Sequence, residues 1–207
     1  MKLLAIDPAM RIVGIDPAIR FVGIDPATTT GFVALDIDGT VLVEKSFRGK
    51  GKSIPGGISP EQRMSLENQL FQLLQPRDMI VKEGVAHRTP KLITTSKIHG
   101  GLEGMITRKN LSFHEVAPDA VKKFVAVTGW KGQKGSMQRL KGTKEKKEAM
   151  AAAALKHFNY SNPSNDIVDA YIIARISLNL YRMREYMPLL DNEPYQIEVI
   201  ESILNKA

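Results

Sequence analysis

Residues 23–35 read GIDPATTTGFVAL: an apolar run that closes on Asp25, a turn of Pro26, Ala27 and three threonines, and Gly31 opening a second apolar run. A buried strand that ends on aspartate delivers a carboxylate to the edge of a sheet, where a cation or phosphate reaches it. The phrase has two upstream echoes, AIDPAMRIV and GIDPAIRFV, which put Asp7 and Asp16 in matching contexts. A central strand has one place in a sheet, so three copies cannot supply one carboxylate. Only Asp25 runs on into a second strand without another Asp-Pro interruption. Residues 1–19 therefore read as a duplicated leader outside the core, 20–186 as one domain, and 187–207 as a tail with a short amphipathic helix.

The second strand, ending at Leu35, meets Asp38-Gly39, a pair suited to a tight hairpin, and Val41 to Phe47 then alternates like a half-exposed strand. After a Gly- and Lys-rich loop, Ser59, Pro60 and Gln62 form a capping-box start for a helix striped by Leu66, Leu70, Leu73 and Leu74. Met79 to Val85 reads as a strand carrying Glu83, and residues 91–108 as a helix. Ser112 to Val116 reads as a strand, followed by a helix from Pro118-Asp119 to near Gly129. Thr143 is placed to cap a helix reaching Phe158, and the last long helix spans about Ser164 to Tyr186. Strands first, then alternating strands and helices, predict an α/β fold with a mixed five-stranded sheet, three strands antiparallel and the rest parallel, flanked by helices.

Composition narrows the function. With 207 residues the chain suits one core, and no apolar stretch is long enough to span a bilayer, so no membrane partner is expected. Asp7 and Pro8 break the N-terminal apolar run before it could serve as a signal peptide, which points to the cytoplasm. Zero cysteines exclude thiolate metal sites and a disulfide framework. The net charge of +7 is concentrated between Lys131 and Lys147, where Lys131, Lys134, Arg139, Lys141, Lys144, Lys146 and Lys147 face the single acid Glu145. This glycine-bearing loop, with Arg48, Lys50 and Lys52 in the earlier one, suits contact with a nucleic-acid backbone.

Asp25 and Glu83 close strands, and Asp166 and Asp169 open the last helix at a spacing that puts both on one face. Acids in a first helical turn also complement the helix dipole. Four converging carboxylates repel one another unless a divalent cation neutralises them, and hard oxygen donors suit Mg²⁺ or Mn²⁺. Two such ions support phosphodiester hydrolysis.

GIDPATTTG (23–31), IVKEGV (80–85) and NDIVDAYIIA (165–174) together resemble, in order and separation, the motifs of the RuvC group of Holliday-junction resolvases in the RNase H-like superfamily, and most resemble its shorter bacteriophage members. The resemblance covers about residues 20–184. It implies a Mg²⁺-dependent endonuclease with two ions held by Asp25, Glu83, Asp166 and Asp169, with Mn²⁺ as a substitute and no nucleotide cofactor. It implies that Lys144 or Lys147 contacts the scissile phosphate. It further implies a homodimer that resolves four-way and other branched DNA by paired cuts leaving 5′-phosphates, in a host-cell cytoplasm if phage-encoded. After Glu83 the chain reads Gly84, Val85, Ala86, His87, without the family's aromatic wedge.

Competing readings rest on other residues. VALDIDGTVL (33–42) is similar to the nucleophile loop of haloacid-dehalogenase phosphatases, with Asp36 as nucleophile and Asp38 as acid and base. A related nuclease acting on RNA·DNA hybrid shares the acidic pattern, and strand-end Asp-x-x-Thr-Thr-Gly also binds phosphates in actin-like ATPases. His87, His99, His114 and His157 read as surface or packing residues, and Trp130 as packing or a base-stacking platform.

Overall fold

A computed structural model describes residues 19–205 except Ser53, Gly56, 87–90, 132–137 and Lys141. The leader with Asp7 and Asp16, and also His87, Lys134 and Lys141, lie outside the described residues. Five strands form the main sheet: β1 (Arg20–Asp25), β2 (Thr29–Leu35), β3 (Val41–Arg48), β4 (Asp78–Glu83) and β5 (Phe113–Val116). Their spatial order is β3-β2-β1-β4-β5, with β1–β2 and β2–β3 antiparallel and β1–β4 and β4–β5 parallel. The mixed sheet expected from the sequence is thus present.

Side-chain alternation divides the core. Val22, Ile24, Phe32, Ala34 and Ile80 face α1 (Pro60–Leu73) and α2 (Leu92–Arg108), meeting Leu66, Leu70, Ile98, Leu102 and Ile106. Phe21, Val33 and Leu35 face the opposite side and pack on Ala170, Ala174 and Leu178 of α5 (Asn165–Arg184). Period two therefore assigns Asp25 and Glu83 to the α5 side and Lys82 to the α2 side. On the α5 side lie also α3 (Pro118–Phe124), α4 (Gly142–Phe158) and α6 (Pro194–Leu204), whose Val199, Ile200 and Ile203 share a cluster with Phe124 and Ile172. No helix among the described residues is long and apolar enough to cross a membrane.

Helix α5 lies unusually close to the sheet. A Cβ on Gly23 would sit 2.1 Å from the Ala170 carbonyl oxygen, and one on Gly31 would sit 1.9 Å from that of Asp166. Only glycine permits these approaches, since backbone cannot retreat as a flexible side chain does. At the other end of the sheet, buried Arg20 makes a paired hydrogen bond to Asp78 at 2.8 and 2.7 Å. The same arginine donates to the Leu73 carbonyl, fixing where α1 hands over to β4.

The capping box of α1 forms as expected, Gln62 N–H donating to Ser59 Oγ and Ser59 N–H to Gln62 Oε1. Three expectations need correction. Helix α3 stops at Phe124, well short of Gly129, because Ala126 adopts φ 55° and the Ala126 and Val127 N–H groups turn back to the Lys123 and Lys122 carbonyls. Thr143 lies inside α4, whose first residue is Gly142 at φ 78°, instead of capping it from outside. The basic segment is not all loop, since β6 (Trp130–Lys131) and β7 (Gln138–Arg139) form a small antiparallel ribbon.

Gly31→Ala should lower stability by about 1–3 kcal/mol or more through overpacking, measured by urea unfolding. Gly100→Ala, where an added Cβ meets nothing within 4 Å, should instead be neutral or gain up to about 1 kcal/mol.

Candidate metal centre

The register pairing Gly23 with Val81 and Ile24 with Lys82 brings Asp25 level with Glu83 at the next step. Both half-buried carboxyls emerge beneath the start of α5. Thr30 pins the turn beyond Asp25 through a 2.9 Å bond to the Ala27 carbonyl. The segment leading into α5 is anchored from the edge strand: Glu44 accepts hydrogen bonds from the Tyr160 hydroxyl at 2.6 Å and Asn162 Nδ2 at 3.0 Å. Tyr160 stacks on Tyr171 with ring centroids 3.7 Å apart, and Asn162 Oδ1 accepts the Ser164 N–H. These contacts, with the glycine approach, hold Asp166 and Asp169 over the strand ends.

Electrostatics record the convergence. Burial, followed by the charges of Glu83, Asp169 and Asp166, holds Asp25 well above the usual carboxylate range. Burial and then Asp169 push Glu83 up to about 7. Burial raises Asp169 to about 6, with Lys147 opposing and Asp166 reinforcing the rise.

Lys122 and Lys147 are the nearby cations that oppose these rises. They line, with Glu83, Asp169, Thr143 and Lys146, a cavity of about 120 Å³ beside Val121 and Met150. Lys122 also bonds Asp119 at 2.8 Å. Sequence reading missed Lys122; its signal was the i,i+3 pair with Asp119 on a helix beginning at Pro118. Of the two lysines proposed for phosphate contact, Lys147 lies in the cavity wall, whereas Lys144 is almost fully exposed and 3.9 Å from Glu148.

Arg48 closes β3 opposite Thr29, and its Nε donates to the Thr29 hydroxyl. Lys50 lines a shallow groove with Glu61 and Gln69, and the Lys52 N–H donates to Glu61 at 3.3 Å. Arg139 is exposed on β7, and Lys131 occupies β6. Trp130 is half exposed on the same ribbon.

Asp36 and Asp38 do not join the acids. Asp36 Oδ1 accepts the Asp38 and Thr40 N–H groups at 3.0 and 2.8 Å, closing the β2–β3 hairpin at the opposite end of the sheet. The phosphatase reading is corrected accordingly: the supposed nucleophile is a turn cap, and the segment after the turn is the paired strand β3.

A second cluster was not foreseen. Lys82 is completely buried, and its Nζ lies 2.8 Å from Glu103 and is hydrogen-bonded to Glu115. His99 packs beside it, 3% exposed. Burial and the Lys82 charge pull the His99 pKa down to about 4. His99 is thus a packed residue, as expected.

No protein-family model and no curated protein matches the sequence. Among solved structures, the chain is similar to RuvC of Thermus thermophilus, with TM-score 0.54 and 16% identity over 82% of this chain and 98% of that one. T. thermophilus RuvC in complex with Holliday junction substrate aligns with TM-score 0.56 and 15% identity over 81% and 96%. The architecture is an RNase H-like α/β fold. More narrowly, it is the RuvC-like form of that fold.

A carboxyl with a higher pKa folded than unfolded stabilises fully below the ordinary value, and that contribution is lost as pH rises through the folded value. Asp25, Glu83 and Asp169 all carry this sign. In EDTA, Tm should fall as pH rises from about 5 to about 7, the three raised carboxyls outweighing depressed His99, which acts with the opposite sign below about 6.5. Saturating Mg²⁺ should offset the fall by binding the ionised acids. Scanning calorimetry at both pH values checks this.

Proposed function

We propose that the protein is a Mg²⁺-dependent endonuclease of the RuvC kind that cuts branched DNA, four-way junctions above all, and works as a homodimer. The observation that carries this reading is the convergence of Asp25, Glu83, Asp166 and Asp169 from three elements, faced by Lys122 and Lys147, on a RuvC-like fold. The donor set fits the metal: all four candidate ligands are carboxylates, and the mutual repulsion that raises Asp25 and Glu83 marks negative charge that a cation would neutralise. Asp25, Glu83, Asp166 and Asp169 would hold two divalent ions, with Mn²⁺ as a substitute.

Bound there, such ions supply electrophilic stabilisation to the phosphodiester and make water more acidic. The protein's own groups do the rest. Lys147 and Lys122, held against Asp169 and Glu83, bind non-bridging phosphate oxygens and orient the strand. Arg48, Lys50, Lys52, Lys131, Arg139 and Lys146 would carry the flanking backbone, with Lys134, Lys141 and Lys144 completing the basic set. A four-way junction is approximately two-fold symmetric, so paired cuts ask for a symmetric dimer. We assign its contact surface to α2 around Gly100 and Gly104, where nothing fills the space beside the helix.

Labelled four-way junction, linear duplex, RNA·DNA hybrid and a phosphomonoester, each with and without Mg²⁺, test the reading. Junction cutting that requires the metal is expected; cutting of hybrid alone would replace the reading with an RNase H activity, and phosphomonoester turnover would sink it. Asp169→Asn should reduce cleavage below detection while junction binding persists. Junction affinity should drop by about 10³-fold or more between about 50 mM and about 200 mM salt, as followed by fluorescence anisotropy.

A further inference from the structure

We propose that Lys82 and His99 are positioning residues for the metal centre: a buried ammonium and a buried imidazole fix the Asp25 and Glu83 strand ends from the opposite face of the sheet. This inference rests on the nuclease reading and adds the support on which its metal affinity depends.

Lys82 directly precedes Glu83 on β4, so the two side chains leave opposite faces of one strand. Register sets Lys82 opposite Glu115 on β5, and Glu103 reaches the same ammonium from α2. Lys82 Nζ also lies 5.1 Å from the Phe113 ring centroid. One fully buried cation thus ties β4, β5 and α2 together. A buried ammonium is costly unless paired, and two carboxylates and an aromatic face supply the pairing. These contacts restrict the strand segment on which Glu83 stands.

His99 extends the brace to β1. It lies one helical turn before Glu103 on α2, and its buried ring comes close to the backbone of Pro26, the residue after Asp25. Its Nδ1 has no hydrogen-bond partner among the described residues. Both metal-bearing strand ends are therefore held from α2, by neighbouring turns of one helix.

The cluster invites comparison with a metal site, since an imidazole nitrogen and an oxygen from each of Glu103 and Glu115 lie within 4.8 Å of one another. The Lys82 ammonium already supplies the cation there, and a divalent ion beside it would meet like charge in a buried setting. The arrangement is an internal cation that serves structure next to exchangeable cations that serve chemistry.

The test uses full-length protein, with Mn²⁺ binding followed by calorimetry without DNA, junction cleavage as a function of Mn²⁺ concentration, and Tm. His99→Leu should weaken Mn²⁺ binding about 10-fold or more, the size expected for loss of a group that orients metal ligands. His99→Gln keeps an N–H near the position of Nε2 and should restore most of that affinity, whatever its effect on Tm. Glu103→Gln, at a partly exposed position, is the companion variant should His99→Leu fail to fold, and it too should weaken Mn²⁺ binding severalfold. Equal Mn²⁺ affinity in parent, His99→Leu and Glu103→Gln, or a loss in His99→Leu that His99→Gln does not recover, would overturn the proposal. A parent that binds Mn²⁺ through Asp25 and Glu83 with this His99 dependence, yet leaves junctions intact, would uphold the brace and refute the nuclease reading. A parent that binds no Mn²⁺ would refute both.

Discussion

The contact between α5 and the β1–β2 pair is the constraint on which the rest depends. Gly23 and Gly31 remove the side chains that would hold a helix at ordinary packing distance, so backbone meets backbone at Ala170 and Asp166. That proximity lets aspartates on a helix reach the same space as carboxylates at strand ends. It also explains why α5 is buried on so many sides: its remaining faces are covered by α3, α4 and α6, whose apolar residues join Ile172, Ile173 and Ile176.

The acidic centre is a local violation of folding economy. Burial and mutual repulsion both act against the ionised forms of Asp25 and Glu83, and the neighbouring lysines answer only part of that charge. Such a cluster persists because the surrounding packing is strong enough to hold it. Other buried charges are closely matched, as in the Arg20–Asp78 pair and in Arg175, which meets Asp191 at 2.9 and 2.6 Å.

Much of this arrangement was legible in the chain. The five strands followed from apolar runs and their turn residues, and Asp25, Glu83, Asp166 and Asp169 stood out because strand ends and a helix start are places where acids gather without core partners. The hidden part depended on tertiary placement. Lys122 is an ordinary helix lysine until α3 is set against the sheet. Lys82 sits in an apolar strand with partners some twenty and thirty residues later, and no local pattern connects them. Helix α3 ends early because an alanine takes a left-handed conformation, and propensity gives no warning of that. The hairpin at Asp36 to Thr40 misled for the opposite reason: a local motif is shared by two architectures, and only pairing of the next strand separates them.

The clustered acids are gathered from widely spaced parts of the chain, with Asp25 near one end of the described fold and Asp169 on its longest helix. During synthesis β1, β2 and β3 leave the ribosome early and can pair as a meander, but β1 gains its parallel neighbour only after β4 appears, and the last two acids arrive with α5. A nascent chain halted anywhere before α5 holds only part of the acidic cluster. Assembly order itself therefore keeps a half-made molecule from completing its acidic centre, and that centre appears only when the longest helix docks.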